Sequence, residues 1–193
     1  MFGSQNKGVM FTLYRDSRTV FRLIDVSMLT GETDLLVLGK KLNYYVRKGL
    51  MLNPRKGIYT KPEFNAEELA CRIYSPSYLS LEYVLQKSGV IFQYDSQMTL
   101  ISYLSRSVVI NHQNLRFRKL KGPVLINTTG IIRQSNQVNQ ACPERAFLDT
   151  LYLEPGYYFD NLHPLDKSVI KRILPVYQSK ALNRRIKTMF GDA

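Results

Sequence analysis

The side chains in this sequence best suited to chemistry are cations set at helix and hairpin spacing. Lys40, Lys41, Arg47 and Lys48 fall within the stretch 33–49, and Arg55 and Lys56 follow directly. On a helix turning about 100° per residue, Leu35, Leu38, Leu42, Tyr45 and Val46 share one face. Leu36, Lys40, Tyr44 and Arg47 share the opposite face, with Lys41 and Lys48 on one flank and Asn43 on the other. One face can pack while the other meets an anion. Thr33 or Asp34 offers a capping oxygen at the start, and Gly49 suits the stop because glycine enters the left-handed region at little cost. A short apolar run, the turn Asn53-Pro54-Arg55-Lys56-Gly57 and a second run through Ile58 and Tyr59 come next. A basic helix followed by a basic hairpin is the layout of a winged helix-turn-helix, in which the helix enters the major groove and the hairpin reaches adjacent phosphates. The pattern therefore predicts contacts to double-stranded DNA from Thr33, Leu36, Val37, Lys40, Lys41, Asn43, Tyr44, Arg47, Lys48, Arg55, Lys56 and Tyr59. For the helix taken alone, an ordinary surface helix with a solvated basic face is the competing reading.

Other chemistries lack their residues. The two histidines, His112 and His163, stand in loop or strand-connecting contexts without neighbouring ligands at metal spacing. There is no nucleophile elbow, no phosphate-cradling glycine loop and no dinucleotide fingerprint. Glu144 and Asp149 are five positions apart and point to different sides of a helix, so capping and a local ion pair explain them most simply. No catalytic residue, no metal and no cofactor are expected. Cys71 lies mid-helix among apolar neighbours as a small buried side chain. A nuclease-like C-terminal half, with basic helices guiding its substrate, is the rival from a different function class. A plain winged-helix regulator with a small ligand-sensing domain is another.

Charge favours a polyanionic partner. The 193 residues carry 27 Lys+Arg against 15 Asp+Glu, a formal net charge of +12. Residues 1–62 hold 11 of those cations against 4 acids, a net +7, and residues 63–193 hold 16 against 11, a net +5 over twice the length. Cys71 and Cys142 are too distant in sequence for a metal knuckle or a redox pair, and nothing resembling a signal peptide precedes them. No apolar run approaches the roughly 20 residues of a membrane span. A soluble, cytoplasmic chain with no membrane partner is the expectation.

The elements that must position the basic stretch can be read in order. Residues 1–7 are expected to be loose and 9–14 helical, with Val9, Met10 and Leu13 inward. Residues 19–22 are β-prone and suited to pair with the hairpin, 23–30 form a helix, and Gly31-Glu32-Thr33 makes the glycine-containing turn before the basic helix. Lys61-Pro62-Glu63-Phe64-Asn65 reads as a linker. Asn65 caps a helix to about residue 74, and 80–87 is a second short helix ended by Gly89. Strands are expected at 90–92, 98–103, 108–110, 115–120 and 130–132, the 115–120 segment alternating Leu115 and Phe117 with Arg116 and Arg118. Helices follow at 142–153, 167–174 and 181–190, the last two divided by Pro175. The predicted fold is α+β: an N-terminal winged helix-turn-helix domain over 1–62, then a mixed α/β C-terminal domain over 63–193 with a small sheet flanked by helices.

Taken together, Leu42-Asn43-Tyr44-Tyr45-Val46-Arg47-Lys48-Gly49, Arg55-Lys56-Gly57-Ile58-Tyr59, Glu68-Leu69-Ala70, Gly89-Val90-Ile91-Phe92-Gln93 and Pro143-Glu144-Arg145-Ala146-Phe147-Leu148-Asp149 resemble the AbiEi family. The Tyr-rich segment 157–162 belongs to the same pattern. AbiEi proteins are antitoxins of bacterial type IV toxin-antitoxin systems. The resemblance implies a winged helix-turn-helix that represses its own operon at promoter repeats. It also implies a C-terminal domain that counteracts a nucleotidyltransferase-like toxin of the AbiEii type encoded next door. Family members often carry Ser where Cys142 stands, and a thiol is the poorer helix cap.

Overall fold

In the computed structural model, which describes residues 3–191 and the side chains of residues 8–191, the chain is a mixed α+β fold with two sheets. It begins α1 (Gly3–Arg15), β1 (Val20–Arg22), α2 (Leu23–Thr30), α3 (Leu35–Arg47), β2 (Leu52–Arg55), β3 (Ile58–Thr60). The strands form an antiparallel sheet in the order β1-β3-β2. Helix α1 starts at Gly3, so the looseness expected for 1–7 does not hold from residue 3 onward, and residues 1 and 2 lie outside the described residues. Helices α2 and α3 are separated by Gly31 at φ 71°, whose N–H donates to Ser27 O and closes α2. Leu13, Phe21, Val26, Leu38, Leu42 and Met51 are almost wholly buried between the three helices and the sheet. Each such side chain contributes about 1.5–3 kcal/mol of burial.

The rest of the chain builds a six-stranded sheet, order β6-β7-β5-β4-β9-β8. Its elements in sequence are α4 (Ala66–Ile73), β4 (Ser77–Leu79), α5 (Glu82–Lys87), β5 (Met98–Ser102), β6 (Arg106–Ile110), β7 (Gln113–Lys119), α6 (Gly122–Ile126), β8 (Ile131–Arg133), β9 (Asn139–Ala141), α7 (Pro143–Leu153), α8 (Lys167–Ile173), a 3-10 turn (Leu174–Tyr177) and α9 (Lys180–Phe190). β4 runs antiparallel to β5 and parallel to β9, and β5 runs parallel to β7. β7 has the expected alternation, with Leu115 and Phe117 buried and Arg116 and Arg118 half-buried.

Two of the expected elements need correction, and three others are unexpected. Residues 90–92 are not a strand. Val90 O accepts from Asn161 N, and Phe92 N donates to Asp160, so the 157–162 segment takes up these backbone groups in place of a sheet neighbour. The helix expected from residue 80 starts only at Glu82. The Ser80 N–H donates to Thr99 O across the sheet and its hydroxyl to Asp149, which holds the residue against β5 and the core. β4, β9 and α6 are not among the elements expected from the sequence.

Asp149 and Arg145, both fully buried, meet one turn apart on α7. Arg145 Nε donates to Asp149, Nη1 to Thr129 O, and Nη2 to Val124 O and to the Tyr78 hydroxyl. Asp149 also accepts from the hydroxyls of Tyr78, Ser80 and Tyr177. The Tyr78 and Tyr177 rings flank the guanidinium at 5.6 and 5.2 Å. Burial pushes both phenols well above their ordinary range, which keeps them protonated as donors. Asp149 is thus a core anion rather than a partner to Glu144, whose carboxylate accepts from Asp166 N on the other side of the helix.

The boundary expected near residue 62 is crossed by polar contacts. Glu68 on α4, 3% exposed, accepts from Thr19 N at 2.6 Å, Thr19 Oγ1 at 3.0 Å and Val20 N at 3.0 Å. Arg72 lies 3.6 Å from Asp25 of α2. Removing one partner of a buried pair strands the other charge, so Asp149→Ala should destabilise the chain by about 3–5 kcal/mol. Tyr177→Phe should cost about 1–2 kcal/mol. Urea unfolding of the full chain followed by circular dichroism measures both.

Candidate nucleic-acid interface

The candidate surface exists because the inner face of α3 is committed. Leu38, Leu42 and Tyr45 are buried, so the side chains opposite them must stand in solvent. Asp34 starts the helix by accepting from Leu36 N at 2.9 Å and Val37 N at 3.0 Å, which leaves Thr33 exposed and without the capping role. Leu36 is 80% exposed, and Val37, Lys40, Tyr44 and Arg47 line the same outer side. Lys48 closes the helix with its ammonium 5.8 Å from the centre of the Tyr44 ring, and Tyr44 meets Tyr45 edge-on at 5.9 Å. Leu35, expected to pack inward, is 40% exposed in the first turn.

The hairpin stands next to this helix and its tip is shaped by Asn53. The Asn53 side-chain amide donates to Arg55 O at 3.0 Å and to Ile58 O at 2.7 Å, and Gly57 turns at φ 80° where a side chain would be strained. Lys56 is exposed at the tip. The sequence reading leaves Asn53 out of the site set, although an Asn just before Pro in a turn is a signal of such backbone bonding.

Not every predicted contact lies on this surface. Tyr59 is 5% exposed in the core and donates its hydroxyl to Asn43 Oδ1 at 3.2 Å, so the phenol faces inward and occupies the Asn43 acceptor. Burial also pushes the Tyr59 phenol up. Lys41 is half-buried and bonded to Glu32 at 3.0 Å, and its ammonium holds the Glu32 carboxyl below the usual range. Arg55 turns away from the tip. Its guanidinium lies 4.8 Å from the centre of the Tyr74 ring and donates to the Tyr74 hydroxyl at 3.3 Å. Three further cations in this part of the chain are also occupied: Arg18 is bound to Asp16, Arg22 to Asp25, and Lys61 to the Asp16 carbonyl. The charge left facing solvent without a carboxylate partner, among the predicted set, is that of Lys40, Arg47, Lys48 and Lys56.

The fold is similar to that of a mycobacterial protein. The crystal structure of the Rv2827c protein from Mycobacterium tuberculosis superposes with a TM-score of 0.54 at 11% sequence identity, covering 98% of this chain and 77% of that one. The likeness is one of fold. No protein-family model matches the sequence, and no curated protein does. Among the described residues, no group of three or more His, Cys, Asp or Glu side chains is placed to hold a metal ion, and no helix is long and apolar enough to cross a membrane.

The start of α3 rests on one side-chain cap. Asp34→Ala should lower stability by about 1 kcal/mol, and Asp34→Asn should restore most of it, since either oxygen serves the same two amides. Chemical denaturation of the three proteins checks this.

Proposed function

We propose that the chain is a DNA-binding transcriptional autorepressor and antitoxin of the AbiEi kind, opposing a nucleotidyltransferase-like toxin. The observation that carries the DNA-binding half is the outer face of α3: Leu36, Lys40, Tyr44 and Arg47 stand in solvent beside a hairpin tipped by Lys56. The order α1-β1-α2-α3-β2-β3 with sheet order β1-β3-β2 supports a winged helix-turn-helix, in which α3 reads the major groove and the hairpin is the wing. Leu36, Val37, Lys40, Tyr44 and Arg47 then face the groove, and Lys48 and Lys56 meet flanking phosphates. The antitoxin half rests on the AbiEi-like motifs spread from residue 42 to residue 149, several of which are structural in this fold. Arg145 and Asp149, for example, belong to the buried network.

Six candidate phosphate contacts would give a salt slope, log K against log salt, of about −5. Four available cations reduce this to about −4. Lys40→Ala with Arg47→Ala should flatten the slope to about −2 and weaken binding to the chain's own promoter, whereas Lys41→Ala should leave the slope unchanged. Fluorescence anisotropy across a salt series measures it, and binding that is independent of salt would overturn the reading.

Co-expression with the neighbouring toxin tests the second half. Growth should be rescued by the full chain and by Lys40→Ala/Arg47→Ala/Lys56→Ala, because neutralisation is assigned to the C-terminal part. Failure of the unaltered chain to rescue growth would leave a regulator without antitoxin activity.

A further inference from the structure

Helices α8 and α9 enclose an apolar groove that DNA binding does not use. Ile170, Leu174, Ile186 and Phe190 form its floor around a volume of about 210 Å³. Lys167 and Lys171 rise from α8 on one side and Lys187 from α9 on the other. A second hollow of about 380 Å³, lined by Leu162, Leu165 and Met189, adjoins the first and shares Lys167 and Phe190 with it. The Lys167 ammonium lies 5.5 Å from the centre of the Phe190 ring at this shared boundary. Among the described residues no Asp or Glu lines either hollow, and over residues 166–193 seven Lys and Arg stand against two Asp.

This combination of an apolar floor and a cationic rim selects its occupant. Phosphates would satisfy the lysines but leave the half-buried Leu174 and Phe190 without an apolar partner, since a nucleic-acid backbone has nothing apolar to insert. A helix has both parts. Residues one turn apart, about 5.4 Å along the axis, can enter the two hollows, while Asp or Glu on the flank meets Lys167 and Lys171. We infer that the α8–α9 groove docks an acidic amphipathic helix of a partner protein. The inference is independent of the DNA-binding reading, because no residue of α3 or the hairpin takes part.

The test uses the full chain and a synthetic helical peptide with Leu at i, i+4 and i+7 and Glu on both flanks. Anisotropy should show saturable binding, and the methyl signals of Ile170 and Ile186 should shift as the peptide is added. Lys167→Glu with Lys171→Glu, both at exposed positions, should weaken binding at least about tenfold, the equivalent of roughly 1.4 kcal/mol. Undiminished binding by that variant overturns the proposal. So does equal binding of a peptide with Ser in place of Leu, which would mean charge attraction alone. Methyl shifts produced by short duplex DNA and not by the peptide would assign the face to nucleic acid and overturn it equally.

Discussion

A guanidinium buried without water must find an acceptor for nearly every N–H it carries, and Arg145 imposes that requirement on most of the larger half of the molecule. Its acceptors come from Asp149 on the same helix, Tyr78 on β4, the carbonyl of Val124 in α6 and the carbonyl of Thr129 ahead of β8. Asp149 draws in Ser80 and Tyr177. Helix α7, the sheet, α6 and the 3-10 turn are thus held to one arrangement by a pair of charges. Displacing any of these elements would leave part of the guanidinium or the carboxylate uncompensated. Apolar packing in the same core, which includes Leu79, Phe147, Leu148 and Ile173, supplies cohesion, and the network supplies register.

Helix α4 passes this constraint to the N-terminal elements. Its Glu68 carboxylate closes the free amides at the start of β1, and Arg72 bonds Gln137 while lying near Asp25 of α2. Tyr74, just beyond the helix, meets Phe117 of β7 edge-on at 4.9 Å and has the Arg55 guanidinium of the hairpin 4.8 Å from its ring centre. The hairpin therefore leans on the large sheet. If α3 and the hairpin hold DNA, their orientation relative to the C-terminal elements is set by these contacts, and the segment 61–65 is not a free hinge.

The same contacts redistribute the charge. Part of the N-terminal basicity is taken up internally: Arg18, Arg22 and Lys41 pair with Asp16, Asp25 and Glu32, and Arg55 is stacked on Tyr74. Lys40 and Arg47 on α3, Lys48 at its end and Lys56 at the hairpin tip stay exposed. In the C-terminal part, Lys167, Lys171 and Lys187 stand around the apolar groove between α8 and α9.

Several features follow from local sequence alone. The amphipathic period of 35–47, the Asp34 and Asn65 caps, the glycine turn at 31, the alternation of β7 and the proline-led start of α7 are short-range properties, and each forms where the residues place it. The mixed α+β character is legible for the same reason. Other features depend on partners distant in sequence. Three-residue strands β4 and β9 exist only because neighbours pair with them, and 90–92 loses its strand to the 157–162 segment. Of the twelve surface contacts expected from spacing, Tyr59, Lys41 and Arg55 are turned to the core, to Glu32 and to Tyr74. Spacing reveals which cations share a helix face. Which of them remain available to an anion is decided by the acids and aromatic rings that folding brings within a few ångströms.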